Sequence, residues 1–378
     1  MNNPSKIRVL IVDDSTVIRR LLTQTLSEDP SVEVVGTAPN GKIALAKIPT
    51  LKPDVVTLDI EMPEMDGLQT LTELRKVDKK LPVIMFSTLT QRGAEGTLDA
   101  LERGANDYVG KPANVGSVTE AMARVRGEMV PKLKSLCPRF APARTANACN
   151  AFSNEGPNES VAVPEFTLRP RGKVSRIDIL AIGVSTGGPN ALSSLLPQLP
   201  GDFPIPIVVV QHMPPIFTKH LADRLNSKCE LHVAEAEAGD PLLPGHVWIA
   251  PGDFHMTTEV NGASAKIGIN QGEQENSCRP AVDVLFRSVA GSYGRHSLAC
   301  VLTGMGSDGL IGCQAIAEAG GQIVTQDRET SVVWGMPAAV ANAGLANQIL
   351  PLGEIGGELT RLAMNGRHRR SLVTEGAI

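Results

Sequence analysis

The chain has 378 residues, 42% of them hydrophobic and 20% charged, the balance of a soluble globular protein with room for two or three domains. A net charge of -4 and an aromatic content of 3% argue against nucleic-acid binding, which needs a basic surface or clustered stacking rings. No apolar run reaches the ~20 residues of a membrane span and Met1 leads into no signal-peptide core, so a cytoplasmic protein without direct membrane insertion is expected.

In chain order, the first short apolar runs are Arg8–Val12, Val32–Val35, Val55–Leu58, Val83–Phe86 and Asp107–Val109, with one helical pattern between each pair and a fifth helix over 115–130. Such alternation predicts a parallel sheet with helices on both faces, filling a first domain over residues 1–126. Between 127 and 175 the pattern fails: Pro131, Pro138, Pro142, Pro157, Pro164 and Pro170 punctuate a stretch expected to be a flexible linker. Alternation resumes at Ile177, with strands expected near 177–182, 207–210, 231–233, 246–249, 265–269, 298–302 and 322–325. Helices are expected over 189–197, 216–226, 281–292, 309–319, 337–342 and 353–364. This second α/β domain spans 176–366 and leaves a tail over 367–378. The six cysteines, Cys137, Cys149, Cys229, Cys278, Cys300 and Cys313, show neither CxxC nor zinc spacing and read as free thiols.

In the first domain the polar residues of interest all fall at predicted strand ends: Asp13 and Asp14 after the first, Asp59 after the third, Ser87 and Thr88 after the fourth, Lys111 after the fifth. The C-terminal strand ends of an open parallel sheet converge on one crevice. Clustered carboxylates repel unless a hard cation such as Mg²⁺ joins them, and a lysine beside a hydroxyl suits a phosphoryl group. Any one of these aspartates could instead be a turn or cap residue. The segments Val12–Ser15, Leu58–Gly67 and Tyr108–Pro112 resemble the receiver domain of bacterial response regulators. That resemblance implies a flavodoxin-like, five-stranded receiver in which Asp59 accepts phosphate from a histidine kinase. It further implies that Asp13 and Asp14 organise Mg²⁺ with the Glu61 backbone carbonyl, that Ser87 and Lys111 contact the phosphoryl group, and that Tyr108 is the switching aromatic.

In the second domain the first strand runs into Gly183-Val184-Ser185-Thr186-Gly187, a GxSxG turn between strand and helix. Alone it could hold a nucleophile, cap a helix or bind phosphate. His212 follows the next strand, and Asp308 lies in a Gly-rich loop after a later one, where it could also cap a helix. A serine needs an imidazole as base, and the imidazole needs a carboxylate to orient it. The order Ser, His, Asp departs from that of α/β-hydrolases. The segments Ile182–Pro189, Gln211–Pro214, Ile249–Asp253, Arg279–Phe286, Leu302–Gly309 and Gly335–Pro337 resemble the protein-glutamate methylesterases of bacterial chemotaxis, which are built as a receiver followed by an esterase. The resemblance implies a doubly wound, mostly parallel α/β methylesterase domain with Ser185 as nucleophile, His212 as base and Asp308 as its orienter. Thr186 would support the histidine, and the Met305 backbone N–H would help form the oxyanion hole.

The implied activity is phosphorylation-regulated hydrolysis of glutamyl methyl esters, and deamidation of glutamines, on the cytoplasmic helices of methyl-accepting chemoreceptors, with no cofactor at the esterase site. The proline-rich linker is longer than the hinge usual in that family. The rivals are a response regulator whose second domain only binds a partner, and a generic serine hydrolase or amidase.

Overall fold

Near-continuous apolar runs need burial on both faces, and a parallel sheet covered by helices provides it. The computed structural model describes residues 6–88, 90–112, 117–137, 166–170, 176–262, 264–365 and 367. In its first part β1 (Ile7–Val12), β2 (Val32–Ala38), β3 (Val55–Asp59), β4 (Val83–Ser87) and β5 (Asp107–Gly110) form a parallel sheet in the order β2-β1-β3-β4-β5. Helices α1 (Thr16–Ser27), α2 (Gly41–Leu51), α3 (Gly67–Val77), α4 (Gln91–Glu102) and α5 (Val118–Leu136) follow the strands in turn. Ser15 caps α1 by accepting from the Ile18 N–H, and Asp66 with Gln69 forms a capping box on α3.

Helix α5 continues past Pro131 to Leu136, where a linker is expected from residue 127. The proline removes one backbone hydrogen bond. Burial of Met129, Val130, Leu133 and Leu136 in the first part's core outweighs that loss. A second piece of the expected linker, 166–170, lies against the other part of the chain. Arg169 N donates to Ala346 O at 2.9 Å, and the Phe166 ring meets Trp334 edge-on. The remaining linker residues, 138–165 and 171–175, and the tail from 368 lie outside the described residues.

The second part is a seven-stranded sheet in the order β14-β13-β12-β6-β7-β9-β8, every pair parallel. Its strands are β6 (Ile179–Val184), β7 (Ile207–Gln211), β8 (His232–Glu235), β9 (His246–Ile249), β12 (Ser297–Val301), β13 (Gln322–Gln326) and β14 (Gln348–Leu350). Helices α6 (Gly188–Leu195), α7 (Phe217–Asn226), α8 (Val282–Tyr293), α9 (Leu310–Glu318), α10 (Met336–Asn342) and α11 (Leu352–Met364) cover it. An antiparallel hairpin, β10 (His255–Asn261) with β11 (Ser264–Asn270), stands apart from this sheet. Neither β10 nor β14 is expected from the sequence: β10 is largely polar and held by pairing with β11, and β14 is a three-residue edge.

The two parts share buried surface. Leu98, Leu101 and Tyr108 of the first belong to one apolar cluster with Leu192, Phe217 and Leu221 of the second.

Candidate active site

In the second sheet, β12, β6 and β7 are adjacent, and their C-terminal ends carry the three residues of interest. Ser185 follows β6, and its backbone N–H donates to Thr303 O at 3.0 Å. Gly187 then takes a positive φ of 77°, which frees the chain to enter α6 at the next residue, with Pro189 in its first turn. Across the turn, a Cβ on Gly304 would stand 2.9 Å from Ser185 Cβ, so only glycine lets the Asp308 loop approach the serine.

His212 follows β7, and its Nε2 lies 2.7 Å from Asp308 Oδ2. Asp308 does not cap α9, which begins with Gly309 as N-cap. Its carboxylate caps the N-terminus of α8 from outside. Oδ2 accepts from Val282 N at 2.7 Å, while Oδ1 accepts from Asp283 N at 2.9 Å, Gly309 N at 3.0 Å and Asn276 Nδ2 at 3.0 Å. These donors and the positive end of α8 fix the carboxylate's orientation and favour its charge. Burial works against that charge, yet the hydrogen bonds from His212, Val282 and Asp283 outweigh it and hold the carboxyl below the usual range. Burial also opposes a charged imidazole, but the contacts with Asp308 and Cys278 prevail and push His212 up to about 9.

Sequence reasoning missed three residues here. Gln211 donates from Nε2 to the carbonyls of Ser185 (3.0 Å) and His212 (3.2 Å), bracing both segments. Asn276, at a positive φ of 53°, bridges Asp308 and the buried Asp283 with one amide nitrogen. Cys278 Sγ stands 3.6 Å from His212 Nδ1, the nitrogen that Asp308 leaves free. Arg279-Pro280-Ala281-Val282-Asp283 is one of the segments on which the family resemblance rests, and that could have drawn attention to this region.

The two expected supporting residues, Thr186 and Met305, are placed as follows. The Thr186 hydroxyl donates to Asp107 Oδ2 of the first part at 2.8 Å, in a buried contact, and not to His212. Among the described residues no hydrogen bond engages Ser185 Oγ or the Met305 backbone N–H. The Met305 side chain packs on the cluster that includes Met122, Val125 and Met129.

The first part gathers its own group. Carboxylate oxygens of Asp13, Asp14 and Asp59 lie within 4.8 Å of one another. Lys111 Nζ reaches Asp59 Oδ2 at 2.7 Å and Asp13 Oδ2 at 2.9 Å. Burial pushes the Asp59 carboxyl up to about 6 against the pull of Lys111, and the Asp13 charge adds to the rise. Three converging hard-oxygen donors and this uncompensated negative charge fit Mg²⁺. The Glu61 side chain turns outward to Arg92 at 3.1 Å. Ser87 Oγ donates to Gly93 O at 3.2 Å.

Tyr108 is buried between the two parts. Its ring stacks on Phe217 at 5.0 Å and 10°, with Lys132 Nζ 5.1 Å from the ring centroid. Burial pushes its hydroxyl well above the ordinary tyrosine range. Asn190 donates to Leu101 O at 2.7 Å, and Arg224 pairs with Asp99 at 2.7 Å and Glu102 at 2.6 Å.

Comparison with known proteins adds the following. Residues 180–359 match the CheB methylesterase family, and residues 9–123 match the response regulator receiver domain family. The chain is 52% identical to the protein-glutamate methylesterase/protein-glutamine glutaminase of Trichodesmium erythraeum, over 94% of this chain and 99% of that protein. It is also 52% identical to the protein of the same description from Nocardioides sp., over 98% of this chain and 99% of that one. The crystal structure of the Thermotoga maritima CheB methylesterase catalytic domain is 45% identical, with a TM-score of 0.49, and covers 50% of this chain and 100% of that domain.

Proposed function

Because the chain belongs to the protein-glutamate methylesterase/protein-glutamine glutaminase family, with a receiver domain ahead of the methylesterase domain, we propose that Ser185, His212 and Asp308 perform its hydrolysis and that phosphorylation of Asp59 controls it. The receiver extends past the expected boundary at 126 to the end of α5 at Leu136, and the esterase is read as 176–366. The substrates are glutamyl methyl esters and glutamines on chemoreceptor cytoplasmic segments, and the protein works in the cytoplasm. Among the described residues no helix is long and apolar enough to cross a membrane.

One observation carries the reading of the esterase site: the 2.7 Å contact between His212 and Asp308, from residues 96 positions apart, beside the turn that presents Ser185. Ser185 Oγ attacks the ester carbonyl carbon, and its proton passes to His212 Nδ1, the nitrogen that Asp308 leaves free. Asp308 supports the resulting imidazolium. The Met305 N–H donates to the oxyanion, an interaction worth about 3–4 kcal/mol in comparable sites. The C–O bond to the methoxy group then breaks, His212 returns its proton, and methanol leaves. Water attacks the acyl-serine by the same route, releasing the glutamate carboxylate and Ser185. With glutamine the leaving group is ammonia.

In the receiver, Asp59 attacks the phosphoryl group of a histidine kinase, forming a P–O bond as the P–N bond breaks. Asp13, Asp14, Asp59 and the Glu61 carbonyl would hold Mg²⁺, which supplies positive charge to the transferring phosphoryl oxygens. Lys111 and Ser87 contact those oxygens. Phosphorylation replaces the Asp59–Lys111 ion pair with a contact from Lys111 to the phosphoryl oxygens and disturbs the β4–β5 edge that carries Asp107 and Tyr108, the two residues seated against Thr186 and Phe217. The docked receiver therefore screens Ser185, and its release admits the receptor.

Ser185→Ala is expected to abolish methanol release from methylated receptor membranes, a fall of about 10⁴-fold or more. A variant that keeps a tenth of wild-type activity, on the order of 1.4 kcal/mol of lost stabilisation, would overturn the assignment.

A further inference from the structure

The docked receiver screens the esterase site without filling it. A cavity of about 630 Å³ remains between the two parts. Ser185, His212, Cys278 and Met305 line one side, and Tyr108, Lys111, Arg124 and Lys132 the other. Several further lining residues, among them Pro215, Ser277, Ser307 and Glu128, are exposed, so the space opens to solvent. The polar contacts that seat the receiver run along one flank: Asp107 to Thr186, Leu101 O to Asn190, and Asp99 and Glu102 to Arg224. Among the described residues no receiver group is hydrogen-bonded to Ser185 Oγ, and the His212–Asp308 pair is intact.

Size decides what this space admits. Pockets of about 300–1,000 Å³ enclose whole small molecules. A helix with its side chains is about 10–12 Å across and rises 1.5 Å per residue, so a receptor helix of several turns is a rod longer than this space. A short ester fits the space that remains, whereas such a rod meets the receiver wall of Tyr108, Lys111, Arg124 and Lys132.

We propose that the receiver-docked chain remains an esterase for compact carboxylic methyl esters, so that the receiver selects by the size of the ester's carrier and leaves hydrolysis at Ser185 in place. This deepens the preceding reading and rests on it, both for Ser185 and for the receiver as gate. The steps are unchanged: an acyl–Oγ bond forms as methanol leaves, and water then restores the serine and yields the free acid. The cavity's apolar wall (Met213, Pro214, Pro280) suits the uncharged ester end.

The test compares two carriers of the same bond on the full-length chain, with and without Mg²⁺ and beryllofluoride as a phosphoryl mimic. One is N-acetylglutamate γ-methyl ester and the other methylated receptor membranes; methanol is measured for both. Beryllofluoride is expected to raise receptor demethylation by about tenfold or more and to change kcat/KM for the small ester by less than about threefold. Acceleration of both substrates by the same factor overturns the proposal and leaves the gate standing. Absence of small-ester hydrolysis in both states also overturns it. If neither substrate responds, the gate itself fails and the proposal falls with it. Unchanged small-ester hydrolysis in Ser185→Ala would instead remove Ser185 from the reaction, a separate failure.

Discussion

Asp59, the last residue of β3, and Asp308, in the loop that follows β12, are both buried at the C-terminal edge of a parallel sheet, and their surroundings drive them in opposite directions. Asp308 receives three backbone N–H groups, an Asn276 amide and the His212 ring. Asp59 receives one backbone N–H, from Ile60, and the Lys111 ammonium, with Asp13 close by. Burial penalises charge in both. Donors overcome it at Asp308, whose carboxyl is held low, and fall short at Asp59, whose carboxyl rises to about 6. A permanently charged carboxylate suits a fixed partner for an imidazolium. An under-compensated one suits a site that acquires a cation and a phosphoryl group. The strand end provides the location, and the number of donors decides the chemistry.

Breaking the Asp308 side of this contrast is expected to have the largest effect. Asp308→Asn removes the charge that supports the His212 imidazolium and should lower kcat/KM for methanol release by about 10⁴-fold, with phosphoryl uptake at Asp59 unchanged. Labelling with radioactive phosphodonor alongside the methanol assay measures both; loss of less than tenfold, about 1.4 kcal/mol, would mean the carboxylate is dispensable.

The Asp59 side breaks more gently. Asp59→Asn should abolish phosphoryl uptake and the phosphodonor response while sparing basal hydrolysis. It should also remove the stabilisation that Mg²⁺ confers on the wild-type chain, about 2.7 kcal/mol at a concentration a hundredfold above Kd. Thermal melts with and without Mg²⁺ read this out, and an equal shift in the variant would place the cation elsewhere.

The smallest effect sharpens the comparison at His212. In the proposed mechanism its base form takes the serine proton, so kcat/KM on a small ester should rise with pH and level off above about 9. Replacing Cys278 with Ala removes one of the contacts that favour the charged ring, and the rise should move down by about one pH unit. An unmoved profile would show that Asp308 alone sets the proton affinity.

Much of this was legible in the sequence. The apolar runs placed all five strands of the first sheet, and the polar residues after them marked the crevice. GxSxG, His212 and Asp308 fell after strands that prove to be neighbours, because parallel topology brings distant strand ends together. Legibility ended where contacts are made between segments. The expected linker contributes ten residues to α5 through burial of Leu133 and Leu136, which local proline content conceals. Thr186 was expected to serve His212, and its hydroxyl instead meets Asp107 of the receiver.

From 378 residues alone came the two α/β units, the order of their elements and the side chains capable of chemistry, since periodicity and turn residues are local properties of a chain. Tertiary structure alone decided that the N-terminus of α8 holds Asp308, that Asn276 bridges it to Asp283, that Cys278 lies against His212 and that Tyr108 stacks on Phe217. Those contacts join positions 7 to 109 residues apart and bring separate loops onto one group. Hydrogen-bond geometry and packing then set the energies, and no local pattern in a sequence encodes them.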